Sequence, residues 1–156
     1  MNRKTRCLVW TNAVVLVFSF FLLGSCGLNE DQLKISALTH FKKGNLYFEQ
    51  KRLAAAAEEY KRAIALNPDE DRFYYNLGLV YYSLSLYYQA IIEYQNAIER
   101  NPGFQEAWYN LALAFEKVDE TEKAFMAYEK YQRISKNSEK SDPNSDESVT
   151  PVRSSE

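Results

Sequence analysis

The single histidine, the two cysteines and the acidic doublet Glu58-Glu59 are the first places where this chain could do chemistry. His40 has no acid or nucleophile at a defined spacing, so acid–base catalysis lacks its second partner and the residue is expected at the surface or as a cap. Glu58-Glu59 falls on the outer face of a helically patterned stretch, where acids are ordinarily solvated. Cys7 and Cys26 both lie near the N-terminus, which leaves no disulfide or thiol chemistry for the rest of the chain. There is no Gly-rich phosphate loop, metal-ligand spacing or nucleophile elbow. The sequence therefore reads as a non-enzyme with no catalytic residue, no metal and no cofactor.

What the residues do show is a period. Gly44, Gly78 and Ala112 fall in register, as do Ala56, Ala90 and Ala124, and Tyr60, Tyr94 and Tyr128, each series stepping by 34 residues. Within a period the apolar residues recur every three or four positions, as helices require, and breaks fall at Asn67-Pro68 and Asn101-Pro102. The pattern predicts all-α structure, with helices near residues 30–50, 53–66, 71–84, 87–100, 105–118 and 121–136. Asn29, followed by Glu30 and Asp31, is expected to open the first, with acids near the positive helix end.

Periodic helix pairs of this length closely resemble the tetratricopeptide repeat (TPR), whose signature alternates large and small residues so that two helices cross closely. Residues 71–104 fit best, with Tyr74, Leu77, Gly78, Tyr81, Ala90, Tyr94, Ala97 and Pro102 in the signature slots. Residues 37–70 keep Gly44, Tyr47, Ala56, Tyr60, Ala63 and Pro68 but carry His40 and Lys43 in slots for bulky apolar residues. Residues 105–138 keep Trp108, Leu111, Ala112, Phe115, Ala124 and Tyr128, with Tyr131 for the usual alanine and Lys136 for the usual proline. Degenerate ends suit repeats that cap an array. The resemblance implies an α-solenoid of three helix-turn-helix repeats over 30–136, with the first helix of each repeat lining a concave groove.

Carried over by register, that groove is Leu38, Phe41, Asn45 and Phe48; Arg72, Tyr75, Asn76, Leu79 and Tyr82; and Tyr109, Asn110 and Leu113. Adjacent helical residues point about 100° apart, so Tyr74-Tyr75, Tyr81-Tyr82 and Trp108-Tyr109 cannot each send both rings into the core. The second ring of each doublet is left for a peptide partner, unless these rings pack on each other and close the groove. A TPR subgroup clamps a partner's C-terminal carboxylate. Asn45 and Asn76 match two clamp positions here, but Phe41, Glu106 and Asn110 stand where its basic residues belong, which argues against that ligand.

At the N-terminus, Arg3, Lys4 and Arg6 precede an apolar run from Leu8 to Leu23 and the small residues Gly24 and Ser25, the layout of a secretory leader. Leu23-Gly24-Ser25-Cys26 resembles the lipobox of bacterial lipoproteins, which implies removal of residues 1–25 and lipid, palmitate included, on Cys26. An uncleaved membrane anchor is the alternative, because the run approaches the roughly 18 residues that span a bilayer. Cleavage leaves 16 basic against 21 acidic residues, a net charge of −5. Nucleic acid is then a poor partner, since its phosphates need basic neutralisation.

Residues 26–29 form a tether spanning at most about 10 Å, so the repeats are expected against the membrane. From 137 to 156 the composition turns to Ser, Asp, Glu, Asn and Pro without aromatics, the signature of a disordered polar tail. The expected function is a lipid-anchored scaffold or docking module for another protein in the bacterial cell envelope, facing the periplasm or the cell exterior. A surface-exposed ligand binder or adhesin is the alternative. A homodimer through the last helix is a further expectation if Phe125, Tyr131 and Ile134 stay exposed.

Overall fold

The computed structural model describes residues 29–141, with side chains described as far as Ser138. The proposed leader, Cys26 and residues 142–156 lie outside that range. The chain divides into two compact units, 1–35 and 36–156. Of the first, the described residues are the opening turns of one helix, where Lys34 and Glu30 pair at 2.7 Å across one turn. No helix among the described residues is long and apolar enough to cross a membrane.

Six helices follow in order: α1 Glu30–Glu49, α2 Leu53–Leu66, α3 Asp71–Ser83, α4 Tyr87–Arg100, α5 Gln105–Lys117 and α6 Thr121–Ser141. No strand occurs among the described residues. The helix positions agree with the spacing of apolar residues, except that α6 continues through Asn137–Ser141, where the polar tail was expected to begin. Nothing in Asn137–Ser141 breaks a helix, and the next proline is Pro143.

The connections repeat as faithfully as the helices. Each pair turns through one residue in the left-handed region, Lys51, Ser85 or Asp119, at φ 59°, 61° and 60°. The next amide then reaches back to a carbonyl of the first helix: Arg52 N–H to Tyr47 O, Leu86 N–H to Tyr81 O and Glu120 N–H to Phe115 O, at 2.9, 2.9 and 3.0 Å. These bonds satisfy carbonyls that a helix end leaves open. Between pairs, Asn67 and Asn101 are pushed out of helical geometry by the prolines that follow. The Asn101 side chain donates to Asp71 Oδ2 at 2.6 Å and accepts from Gly103 N–H at 3.1 Å, which fixes the second of these turns.

Packing explains the 34-residue register. Gly44 and Gly78 let α1 and α3 approach the rings of Tyr60 and Tyr94; a Cβ would meet those rings at 2.5 and 2.6 Å. Both tyrosines and the alanines Ala56, Ala63, Ala90 and Ala97 are buried. Helices from α2 to α6 each pack on the next. Phe73 and Val80 of α3 are fully buried, and both belong to core clusters formed with α2.

The far end differs. Ala57 and Ile91 are buried, whereas Phe125, one period on, is 64% exposed. Tyr131 and Ile134 are half-buried, so of the three apolar residues expected near the open end only Phe125 stands in solvent.

Candidate peptide-binding face

Contacts between first helices set α1, α3 and α5 side by side. The Phe41 ring of α1 lies 5.0 Å from Phe73 of α3, and Asn110 of α5 donates to the Tyr75 hydroxyl of α3 at 2.9 Å. On this face the expected residues divide into two sets. Phe41 also packs on Tyr60, at 5.8 Å, and Tyr75 is wedged between Tyr94 and Phe104, at 5.9 and 4.8 Å. Phe48 and Leu79 are half-buried against neighbouring core residues, and Tyr82 meets Tyr87 edge-on at 5.3 Å. These side chains act first as packing within and between repeats.

The other set stays open. Leu38 is at the surface and Leu113 is half-buried. Arg72 is exposed, ion-paired with Glu70, and its guanidinium stands 6.0 Å from the Phe41 ring. Tyr109 is 41% exposed even though Tyr128 and Tyr131 flank it, at 5.9 and 5.3 Å. The three asparagines are each bonded once or twice but not used up. Asn45 accepts from Tyr60 Oη at 2.7 Å, Asn76 donates to Arg72 O at 2.8 Å, and Asn110 donates to Tyr75 Oη and Glu106 O. The amide N–H groups of Asn45 and the amide oxygens of Asn76 and Asn110 keep capacity for a further partner.

Burial raises the pKa of Tyr60 to about 12 and pushes Tyr94 up further, so both hydroxyls stay protonated. Tyr75 is raised for the same reason, with Glu106 nearby adding to the shift and Asn110 opposing it.

The expectation that Glu59 is solvated and His40 unpartnered is overturned. Glu59 is 4% exposed, and His40 Nδ1–H donates to its Oε2 at 2.7 Å. Lys43 and Arg62 donate to Oε1 at 2.9 and 3.1 Å. The bonds from His40 and then Lys43 hold the carboxyl below its ordinary range despite burial. The missed signal was two basic residues in apolar slots of one repeat, on the side of α1 that faces α2, where an acid meets them. The cluster has a carboxylate-oriented imidazole but no nucleophile, and its geometry is that of an ion network holding α1 to α2.

Tetratricopeptide repeat models match residues 71–104 and 93–126, and a TPR repeat model matches 44–85. No curated protein sequence matches. Among solved structures, the crystal structure of MamA is similar at TM-score 0.66 and 32% identity, over 67% of this chain and 61% of that one. This chain thus spans about three fifths of the MamA structure. The first TPR of Spaghetti (RPAP3), solved bound to the HSP90 peptide SRMEEVD, gives TM-score 0.65 at 23% identity, over 67% of this chain and 82% of that one. The TPR2B domain of yeast Sti1, solved in a pHsp70 complex, gives 0.64 at 24%, over 66% and 82%. The repeats of this chain are tetratricopeptide repeats, and its fold is the all-α TPR solenoid.

Proposed function

We propose that the chain is a lipid-anchored TPR docking module of the bacterial cell envelope, which holds an extended or helical segment of another envelope protein along α1, α3 and α5. TPR domains mediate protein–protein contact, and solved neighbours of this fold hold chaperone peptides. The observation that carries the reading is the one asparagine per repeat on a shared face, each with bonding capacity left, beside exposed Arg72 and Tyr109. Amides from all three repeats, with Asn76 and Asn110 at repeat spacing, suit a peptide backbone, and an exposed rigid aromatic and an exposed arginine suit anchor side chains. A chaperone-tail clamp is not proposed: Phe41 is committed to packing, and Glu106 and Asn110 bring no positive charge. No enzymatic role is proposed.

Anchoring rests on the leader and Cys26. Lipidation there, three residues before Asn29, would keep the face close to the bilayer and select partners at the membrane.

Affinity capture from detergent-solubilised envelopes with the full chain, beside an Arg72→Ala/Tyr109→Ala variant of unchanged helicity, tests the docking face. A partner retained by the parent and lost by the variant is expected; equal capture by both would overturn it. Intact mass of membrane-extracted chain tests the anchor. Residues 1–25 absent and acyl mass present is expected, and retention of residues 1–25 would overturn lipidation.

A further inference from the structure

On the second helix of each repeat, the register places Glu59, Glu93 and Ala127 at one position and Arg62, Asn96 and Lys130 three residues later. In the first repeat Arg62 donates to Glu59 at 3.1 Å, and in the second Asn96 donates to Glu93 at 3.2 Å. In the third, Ala127 has no carboxylate to offer, and Lys130 enters no ion pair among the described residues. A cavity of about 350 Å³ opens at this place between α4, α5 and α6. Trp108, Leu111, Phe115 and Met126 form its apolar walls, and Lys123 and Lys130 stand in its lining; Lys123 is paired with Glu120 at 3.3 Å, which leaves Lys130 as the lining cation without an acid beside it. Lys123 also lies 5.8 Å over the Phe115 ring. The Trp108 indole N–H is already satisfied by Pro102 O at 2.9 Å, so the tryptophan offers surface rather than a donor.

We infer that this cavity is a second docking site, for a partner segment that carries a glutamate or aspartate next to an apolar side chain. The incoming carboxylate takes the place that the protein's own glutamate takes in the two preceding repeats, and meets Lys130 as Glu59 meets Arg62. The apolar neighbour covers Trp108, Leu111 and Met126. The unpaired charge of Lys130 selects against basic segments, while Lys123 is already met by Glu120. Its lining residues are not those of the α1–α3–α5 face, so it stands or falls independently of the function proposed above.

The test uses the full chain, labelled with ¹⁵N, and two capped tetrapeptides, acetyl-Leu-Glu-Leu-Phe-amide and its Gln counterpart, so that charge resides only in the side chain. The Trp108 indole signal, assigned by its loss in Trp108→Phe, and the amides of Met126–Lys130 report occupancy. The Glu peptide is expected to shift them and to bind roughly fivefold tighter than the Gln peptide, the scale of one partly screened ion pair. Lys130→Gln, a surface change, is expected to erase that preference. Ala127→Glu is expected to abolish binding by supplying the carboxylate internally; should it not fold, Lys130→Gln decides alone. Equal binding of the two peptides, a preference that survives Lys130→Gln, or shifts confined to Tyr109 and Asn110 would overturn the proposal. So would the same shifts appearing on concentration alone, which would give the cavity to a second copy of the chain.

Discussion

Glu59 and Glu93 stand at the same register position in the first and second repeats, yet the two carboxyls live in opposite conditions. Glu59 faces His40 and Lys43 across the helix pair; Glu93 faces their counterparts Tyr74 and Leu77, which are buried. Hydrogen bonds from His40 and Lys43 lower the pKa of Glu59, whereas burial raises that of Glu93 against the help of Asn96, Lys61 and Arg100. The second repeat has a helix pair on either side, so its slots fill with aromatic and aliphatic volume. No helix pair precedes the first among the described residues, and its side chains at these slots keep 30% and 47% of their surface in water. An end repeat therefore joins its helices by ions and a central one by burial, on one backbone plan.

The comparison breaks hardest where both repeats depend on the same close approach. Gly44→Ala and Gly78→Ala each drive a methyl to within 2.5 to 2.6 Å of a buried tyrosine ring that has nowhere to retreat. Each is expected to cost about 1–3 kcal/mol despite the better helix propensity of alanine, with Gly78→Ala the worse because α3 is packed from both sides. Chemical denaturation followed by circular dichroism measures this. Equal stability of parent and variant would mean that the helices do not cross so closely.

Next in size, the same substitution made at the two glutamates should act with opposite sign. Glu59→Gln removes an ionised acceptor for three bases and is expected to cost about 1–2 kcal/mol at neutral pH, reduced because the bases are partly solvated. Glu93→Gln removes a charge that the fold disfavours and is expected to be neutral or to gain about 0.5 kcal/mol. The pH dependence follows from the shifts. Because the folded pKa of Glu59 lies below the ordinary 4.5, its contribution is present above that value and is lost as pH falls through the lowered one. Glu93 is raised, so its contribution is present below 4.5 and is lost as pH rises through the raised value. Melting temperatures of the two variants against the parent from pH 3 to 7 should diverge in opposite directions; parallel curves would dissolve the contrast.

The 34-residue step made the fold legible because each signature slot has a steric reason. Glycine at 44 and 78 faces tyrosine at 60 and 94, and asparagine-proline ends each second helix but the last. Helix α6 outran its expected end because Lys136 stands where proline stops the others. The candidate face was legible only as a face. Register puts Phe41 and Tyr75 on the groove face, but ring size and inter-repeat distance decide whether they also reach the neighbouring first helix, and both do, Phe41 through Phe73 and Tyr75 through Asn110. Glu59 was hidden for the opposite reason. A surface pattern of charges on α2 looks the same whether the facing slots hold leucine or lysine, so only reading α1 and α2 together reveals the network.

The smallest contrast lies between Tyr60 and Tyr94, whose rings occupy the same place in successive repeats. The Tyr60 hydroxyl donates to Asn45 at 2.7 Å; the Tyr94 hydroxyl is buried and has no partner among the described residues. The difference traces to one position on the first helix, Asn45 in one repeat and Leu79 in the next. Tyr60→Phe should therefore lose about 1 kcal/mol, the net worth of a hydrogen bond whose acceptor is left behind, while Tyr94→Phe should lose nothing or gain slightly by removing an unsatisfied group. Leu79→Asn would restore the acceptor, at the loss of apolar surface packed against the core. Combined with Tyr94→Phe in a double-mutant cycle, it isolates the new bond from that loss. A coupling near zero would show that position 79 does not face the Tyr94 hydroxyl as position 45 faces Tyr60.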